Sequence, residues 1–245
     1  MLGKFMYYTK LLLLFITGLH QPLRSISAKD AAKRIVWVDL EMTGLDIDKD
    51  HILEIACLVT DADLNIVATG PDLIIHQPDD ILNSMGPWCV AQHGETGLTE
   101  ASRKSSISVA DAERQVLEFV SSHVPEKKCP LGGNSVYMDR LFIRKYMPAL
   151  NNYLHYRVID VSTIKELAKR WYQKDYSKMP QKKYEHRSLN DIIESVEELK
   201  VSLILFNFHQ SLRQKRKILA VADSNPRHTP LTFKSYVYVC IACVL

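Results

Sequence analysis

The sequence predicts an α/β fold in which a mixed sheet is flanked by helices. After Arg34, short β-branched runs are separated by Gly, Asp and Pro residues, and this spacing predicts a meander of three or four strands. In the second half of the chain, helical periodicity alternates with short strand-like runs. Strands first and β–α alternation afterwards predict one sheet with helices packed against it.

The predicted elements follow in order along the chain. The strands are RIVWVDLEMTG, HILEIACLVTD, DLNIVATG and DLIIHQ, and later CPLGG and YRVID. The helices are a segment over about 79–92, a segment that starts at the capping residue Ser108, a segment near 138–146, VSTIKELAKRWY, and a last segment from about Ser188. Apolar runs stay short of the roughly 20 residues that cross a bilayer, so we expect no membrane partner.

Charge divides the chain into three segments. Residues 1–29 carry four basic residues and no acidic one, and residues 201–245 carry six basic residues and one acidic. The remaining residues, 30–200, hold 21 basic and 27 acidic residues, a net charge of −6. A protein that binds long duplexes needs a basic face, so an acidic body fits carboxylate metal ligands and a substrate with few phosphates. We predict a leader at 1–33, one folded domain at 34–200, and an atypical tail at 201–245 outside the fold.

The leader is basic and has an apolar centre, which is compatible with a mitochondrial presequence, a secretory apolar segment or disorder. The five cysteines are odd in number and scattered, which does not indicate a disulfide framework. This cysteine usage argues against secretion.

An acidic pair ends the first predicted strand. In the strand, side chains alternate, so Asp39 and Glu41 share one face and Leu40 points to the other. Two neighbouring carboxylates at the end of an apolar strand repel each other, and a divalent cation between them removes that repulsion. Taken alone, the same pair also fits a solvated strand end.

Two later segments carry further candidates. GGNSVYMD places Asp139 on a helix that follows a glycine turn, and HRSLNDIIES places His186 in a loop with Asp191 in the first turn of the next helix. Each segment by itself is also compatible with a helix cap or a solvated side chain.

The order of these motifs resembles the DEDD exonuclease superfamily in its His-containing form. The surrounding text, W-V-D-L-E-M-T-G-L-D, G-N-S, H-Y-R-x-I-D-V-S-T-x-K-E-L and H-R-x-L-N-D, is similar to the oligoribonuclease family over about residues 34–200. This resemblance implies a ribonuclease H-like fold. It also implies a homodimeric 3′→5′ exoribonuclease that degrades short single-stranded RNA, down to dinucleotides, to nucleoside 5′-monophosphates.

The resemblance implies a role for each catalytic candidate. Four carboxylates would hold two Mg²⁺ or Mn²⁺ ions, namely Asp39, Glu41, Asp139 and Asp191. His186 would act as base for the attacking water, because an imidazole is partly neutral near pH 7. A family that degrades RNA and a basic leader favour a mitochondrial location, with the cytoplasm as the alternative.

The resemblance also implies residues that select substrate length. Leu45 would wedge against a base, Trp88 and His93 would flank the 3′ nucleotide, and Ser135 with Tyr156 and Arg157 of a second subunit would close on the 5′ phosphate. Spacing alone would instead place Trp88 in the core.

The chain departs from the family pattern at three places, the first of which is Pro87 directly before Trp88. Ser188 stands where Ala is usual, and after Lys200 the text becomes VSLILFNFHQ. A translated intron would explain the third departure, because Val-Ser can be encoded as a splice-donor sequence. Two rivals stay open: a DEDD exonuclease that trims longer RNA or DNA ends, and an inactive variant that acts as a binding module.

Overall fold

The computed structural model describes residues 27–176 and 187–203. Its described residues fall into two compact units, the first made of 27–160 with 187–192 and the second of 161–176 with 193–203. The predicted leader up to residue 26, His186 and the tail from residue 204 lie outside the described residues. The predicted boundaries at 33 and 200 therefore stay predictions.

The first unit is built on a five-stranded mixed sheet. Its strands are β1 (Ile35–Met42), β2 (Ile52–Thr60), β3 (Ile66–Ile74), β4 (Leu131–Gly133) and β5 (Val158–Asp160). They lie in the order β3-β2-β1-β4-β5. The first three form an antiparallel meander, and β4 and β5 continue the sheet in parallel from β1.

The helices occupy most of the remaining described chain. They are α1 (Ala28–Ala31), α2 (Asp79–Asn83), α3 (Pro87–Glu95), α4 (Leu98–Lys104), α5 (Val109–His123), α6 (Tyr137–Tyr146), α7 (Pro148–Tyr153), α8 (Val161–Trp171), α9 (Gln173–Tyr176) and α10 (188–203). None of these described helices has both the length and the apolar character that a membrane crossing requires.

Two predicted element boundaries were wrong. DLNIVATG and DLIIHQ form the single strand β3, because its pairing with β2 continues past Gly70 through a change of register. The helix predicted over about 79–92 is two helices, because Gly86 and Pro87 interrupt it and Pro87 starts α3. The capping residue was predicted correctly, since the Ser108 side chain accepts from the Asp111 backbone N–H at the start of α5.

The core of the first unit lies around the sheet. All nine residues of β2 are buried, as expected for a strand covered on both faces. Helix α5 contributes Ala112, Val116 and Val120 to the same apolar cluster, and α6 contributes Phe142 and Ile143. Because β1 and β4 run parallel, residues that follow the two strands emerge at one edge of the sheet. That edge carries the acidic residues of the candidate site.

Candidate active site

Three carboxylates meet at the carboxyl end of β1. One oxygen each from Asp39, Glu41 and Asp191 lies within 4.8 Å of the other two. Asp39 and Glu41 come together because they share a face of β1, while Leu40 between them is buried. Asp191 is brought from α10, 150 residues further along the chain than Glu41. The structure thus joins three of the four predicted metal ligands.

Asp139 lies beside this cluster. It is in the first turn of α6 and is only 6% exposed, which excludes the solvated position that its segment alone allowed. Its Oδ1 accepts the backbone N–H of Leu40 at 2.9 Å, so it is fixed to the stretch of β1 between Asp39 and Glu41. His186, the predicted base, lies outside the described residues.

Two carboxylates of the site, Glu41 and Asp139, favour bound protons when no cation is present. Burial, together with the charges of Glu54, Asp191 and Asp139, raises the pKa of Glu41 to about 8. Burial raises the pKa of Asp139 to about 7, with a smaller contribution from Asp160 and an opposing one from the Leu40 N–H. The crowding of acids in a buried place therefore creates a strong preference for added positive charge.

The donor set fits a hard divalent cation. All four predicted ligands offer carboxylate oxygens, which suit Mg²⁺ and Mn²⁺ and do not suit softer metals. A cation would also favour the charged form of Glu41, whose pKa is raised first by burial and then by the neighbouring acids. The three grouped oxygens, within 4.8 Å of one another, could therefore hold a metal ion.

The raised pKa values of Glu41 and Asp139 predict how metal binding depends on pH. The folded pKa of Glu41, about 8, lies above its ordinary 4.5, and that of Asp139, about 7, lies above 3.8. The folded state therefore binds more protons than the unfolded state in this window, so these groups lower metal-free stability as pH rises from about 4 to about 8. A cation competes with those protons, so saturating Mn²⁺ should raise Tm more at about pH 8 than at about pH 5.

Thermal unfolding with Mn²⁺ and with chelator, at both pH values, measures this difference. Glu41→Gln is the matched control, because it removes the proton site without changing side-chain size and should shrink the pH dependence. An Mn²⁺ effect on Tm of equal size at both pH values would contradict the assignment.

Sequence comparisons agree with this chemistry. A family profile described as exonuclease matches residues 36–199. The chain is 51% identical to mouse mitochondrial oligoribonuclease over 193 residues, which cover 79% of this chain and 81% of the relative. It is 55% identical to the human mitochondrial oligoribonuclease, with 71% and 73% covered, and 49% identical to the oligoribonuclease of Francisella tularensis subsp. novicida, with 69% and 94% covered.

The chain belongs to the oligoribonuclease family. It is accordingly a nuclease, and the family prediction made from its motifs is confirmed. The predicted mitochondrial location is also confirmed, since the mouse, bovine and human oligoribonucleases are named mitochondrial. The use of divalent metal by this oligoribonuclease follows from its family and its acidic cluster.

Solved structures agree with the predicted ribonuclease H-like fold. Escherichia coli exonuclease I, in complex with a dT13 oligonucleotide, superimposes with a TM-score of 0.55 at 18% identity, covering 77% of this chain and 45% of that one. Exonuclease I from Methylocaldum szegediense gives 0.54 at 18% identity, covering 84% and 49%. This oligoribonuclease chain spans about half the length of those exonucleases, and at this identity the likeness shows the fold alone.

Two residues predicted to contact a nucleotide base are exposed on the surface of the first unit. Leu45 and Trp88 are each 66% exposed, although large apolar side chains are usually buried. Trp88 is the second residue of α3, directly after Pro87, and the structure excludes the core position that its spacing alone suggested.

Leu45 is carried by a loop that Asp50 organises. The Asp50 carboxylate accepts the hydroxyl of Thr43 at 2.9 Å and the backbone N–H of Asp46 at 2.8 Å. The Asp50 carbonyl accepts the hydroxyl of Tyr146 at 2.6 Å, which ties the loop to α6. Gly44 leaves room for this carboxylate, because a Cβ there would lie 2.7 Å from the Asp50 Cγ. The loop is therefore fixed at both of its ends and beside the helix of Asp139.

Gly44→Ala should destabilise this loop. The added methyl group forces the Asp50 carboxylate away from its donors, and charged hydrogen bonds of this kind contribute about 1.5–3 kcal/mol each. We expect a fall in Tm of several degrees and weaker binding of a dinucleotide, measured by thermal unfolding and by calorimetry with a non-hydrolysable analogue. Gly86→Ala is the control, because a Cβ at Gly86 meets nothing within 4 Å. Equal stability of the two variants would show that Asp50 does not organise the loop.

His93 is placed differently from Trp88. It is 2% exposed, its Nε2 lies 2.9 Å from the Met42 carbonyl, and its Nδ1 lies 3.9 Å from the Glu41 carboxylate. The Met42 contact is satisfied by the tautomer that carries its proton on Nε2. His93 thus joins α3 to the end of β1, and its predicted contact with the 3′ nucleotide stays a prediction.

The residues predicted to hold the 5′ phosphate lie near β5. Ser135 is exposed, has a positive φ of 52°, and donates its backbone N–H to Asp160 at 3.1 Å. Tyr156 is 76% exposed, stacks on His155 with ring centroids 4.4 Å apart, and has the Arg157 guanidinium 5.5 Å from its ring centre. These contacts preorganise an exposed aromatic ring beside a cation.

Sequence reasoning missed several residues around the acidic cluster, above all Glu54, Asp160 and Arg187. Glu54 lies opposite Glu41 in the sheet and is fully buried, and it accepts hydrogen bonds from Arg187 and Ser188. The available signal was a charged residue within the apolar run HILEIACLVTD, since a buried carboxylate requires a partner.

Proposed function

We propose that this chain is a 3′→5′ exoribonuclease that degrades short oligoribonucleotides, including dinucleotides, to nucleoside 5′-monophosphates. The observation that carries the proposal is the cluster of Asp39, Glu41 and Asp191, with Asp139 beside it, in a chain of the oligoribonuclease family. The comparisons support this function over trimming of long 3′ ends and over a purely binding role.

The four carboxylates are proposed to hold two ions, Mg²⁺ or Mn²⁺. The oxygen-only donor set and the raised pKa of Glu41 support this assignment. Held by these residues, the two ions would supply activation of a water molecule and stabilisation of negative charge on the departing oxygen. Around them, Asp139 is fixed by the Leu40 N–H and so presents its carboxylate in one orientation.

His186 is proposed to take the proton of the attacking water. The water oxygen forms a bond to phosphorus, and the bond between phosphorus and the upstream 3′ oxygen breaks. The released nucleoside keeps its 5′ phosphate, and the departing 3′ oxygen takes a proton from solvent, so the shortened RNA ends in a 3′ hydroxyl.

Substrate length is proposed to be set by contacts at both ends of a short RNA. Leu45 and Trp88 offer exposed apolar surface for the base at the 3′ end. Ser135 contributes to the 5′-phosphate site, and Tyr156 and Arg157 of a second copy complete it in a homodimer. The exposure of Tyr156 and the cation beside its ring support a role in contact with a phosphate and a partner copy.

The domain organisation is proposed as a leader at 1–33, the exonuclease domain at 34–200 and an atypical tail at 201–245. The exonuclease profile ends at residue 199, which supports the boundary. A tail that disturbs the homodimer would make the chain a binding module, since Tyr156 and Arg157 are assigned to the partner's site.

The proposal is tested with a 5′-labelled pentanucleotide RNA incubated with the full chain and Mg²⁺ or Mn²⁺. We expect labelled products that shorten one nucleotide at a time to the mononucleotide. Ca²⁺ is the control, because its flexible coordination does not enforce the geometry of two-ion hydrolysis. Accumulation of the labelled dinucleotide, or release of an internal fragment first, would contradict the proposal.

A further inference from the structure

Glu54 occupies an unusual position for an acid. It lies within β2, whose nine residues are all buried, and it is 0% exposed. Its neighbour across the sheet is Glu41, a predicted metal ligand. A carboxylate is costly to bury unless hydrogen bonds or opposite charge compensate, so its partners decide what it does.

Both oxygens of Glu54 are bound to the start of α10. Arg187 donates from Nη2 to Oε1 at 3.1 Å, and Ser188 donates from Oγ to Oε2 at 3.3 Å. Ser188 is itself fully buried, whereas the Arg187 side chain is 42% exposed. These contacts join residues 133 and 134 positions apart in the sequence, so the sheet anchors this helix end.

The anchored residues lie at the same helix end as Asp191. The Asp191 N–H donates to the Arg187 carbonyl at 3.0 Å, which makes this the first turn of α10. Residues three apart in a helix are neighbours on one face, so Ser188 and Asp191 lie on the same side of this turn, and Arg187 directly precedes it. Fixing Arg187 and Ser188 therefore holds in place the first helical turn, which presents Asp191.

We propose that Glu54 is a positioning residue of the metal site, which acts through Arg187 and Ser188 to hold Asp191 against Asp39 and Glu41. This inference rests on the proposed function for the identity of the site. Glu54 itself touches neither substrate nor cation in this role. Ser188 supplies one of the two attachment points to Glu54.

A purely electrostatic role for Arg187 predicts a change in cation affinity in the opposite direction. If Arg187 acted only through its charge, its removal from the neighbourhood of the cations would tighten their binding. If Arg187 anchors Asp191, its removal loosens a ligand and weakens binding. Arg187→Met preserves most of the apolar length of the side chain and removes only its charge and hydrogen bonds.

The test measures Mn²⁺ affinity of the full chain by electron paramagnetic resonance, with no RNA present. We expect Arg187→Met and Glu54→Gln each to weaken Mn²⁺ binding about 10- to 100-fold, the range for residues that orient metal ligands. Ser188→Ala should have a smaller effect, because the Arg187 contact remains. The double variant Glu54→Gln/Arg187→Met should bind Mn²⁺ hardly more weakly than whichever of its two single variants has the lower Mn²⁺ affinity. Both changes break the same connection between the sheet and the helix.

An exposed ion pair supplies the matched control. Arg103→Met and Glu100→Gln remove a pair of the same chemistry outside the site, and neither should change Mn²⁺ affinity. Metal-free thermal unfolding identifies variants that fail to fold. If Glu54→Gln fails to fold, the Mn²⁺ affinities of Arg187→Met and Ser188→Ala test the proposal. Excess Mn²⁺ should restore kcat on a dinucleotide in the anchoring variants, which a collapsed site would not allow.

Unchanged or tighter Mn²⁺ binding by Arg187→Met would overturn the positioning role. A loss of Mn²⁺ affinity in the double variant equal to the product of the two single-variant losses would also overturn it. Such a result would show that Glu54 and Arg187 act independently. Failure of the proposed function is distinguishable, since it would leave wild-type Mn²⁺ binding intact and abolish only RNA cleavage.

Discussion

Replacement of Asp39, Glu41 or Asp139 by Ala should lower kcat by several orders of magnitude. Asp39 and Glu41 belong to the acidic cluster and Asp139 lies beside it, and ligands that act as a unit lose most of the catalysis when any one is removed. Steady-state rates on a dinucleotide at saturating Mg²⁺ measure the effect. The double variants should be hardly slower than the single variants, because the second change acts on a site that has already lost its function.

Stability distinguishes loss of chemistry from loss of fold. Glu41→Gln should leave the metal-free Tm unchanged or raised at about pH 8, because it removes a buried group whose ionisation the folded state disfavours. Asp63→Ala is the control, since Asp63 is an exposed acid in the turn between β2 and β3. Retention of more than about a tenth of the wild-type kcat by any cluster variant would exclude that residue from the catalytic set.

Arg157→Ala should have the second largest effect, and it should depend on substrate length. Loss of a charge-assisted contact to the 5′ phosphate costs about 1.5–3 kcal/mol, which is roughly ten- to hundred-fold in kcat/KM on a dinucleotide. On longer RNA the loss should be small, because a long strand cannot place its 5′ end in the same site. The dependence of kcat/KM on length should therefore become flatter.

A second exposed arginine controls for nonspecific attraction. Arg114 on α5 is paired with Asp111 at the surface, and Arg114→Ala should change neither kcat/KM nor its dependence on length. Tyr156→Ala should resemble Arg157→Ala, because the Tyr156 ring lies under the Arg157 guanidinium. An equal loss on dinucleotide and long RNA in Arg157→Ala would assign this residue to general electrostatics and not to a cap.

Local patterns predicted the parts of the fold that depend on local rules. Alternation in β1 placed Asp39 and Glu41 on one face, and a serine before a helical run placed the start of α5. The break at Gly86 and Pro87 was also visible in the sequence, since proline starts helices and does not continue them. The single helix predicted over about 79–92 ran through this break and was therefore too long.

Contacts between distant segments could not be predicted in the same way. The partner of Glu54 is 133 residues away at Arg187, and the burial of His93 depends on the Met42 carbonyl at the end of another element. The local pattern of HILEIACLVTD does not identify the basic residue that compensates the charge of Glu54. The family resemblance supplied the catalytic residues, and the three-dimensional structure supplied the residues that hold them in place.

Selection for short RNA is the central claim, and a length series tests it most directly. The measurement is kcat/KM of the unmodified full chain on RNA of two to seven nucleotides and on RNA of about twenty nucleotides, at saturating Mg²⁺. A matched series uses residues 30–200 with a family-like C-terminus, to separate the enzyme from its tail. The account predicts the highest kcat/KM on the dinucleotide and a steep fall as each nucleotide is added. Equal kcat/KM on the dinucleotide and on the twenty-nucleotide RNA would contradict it.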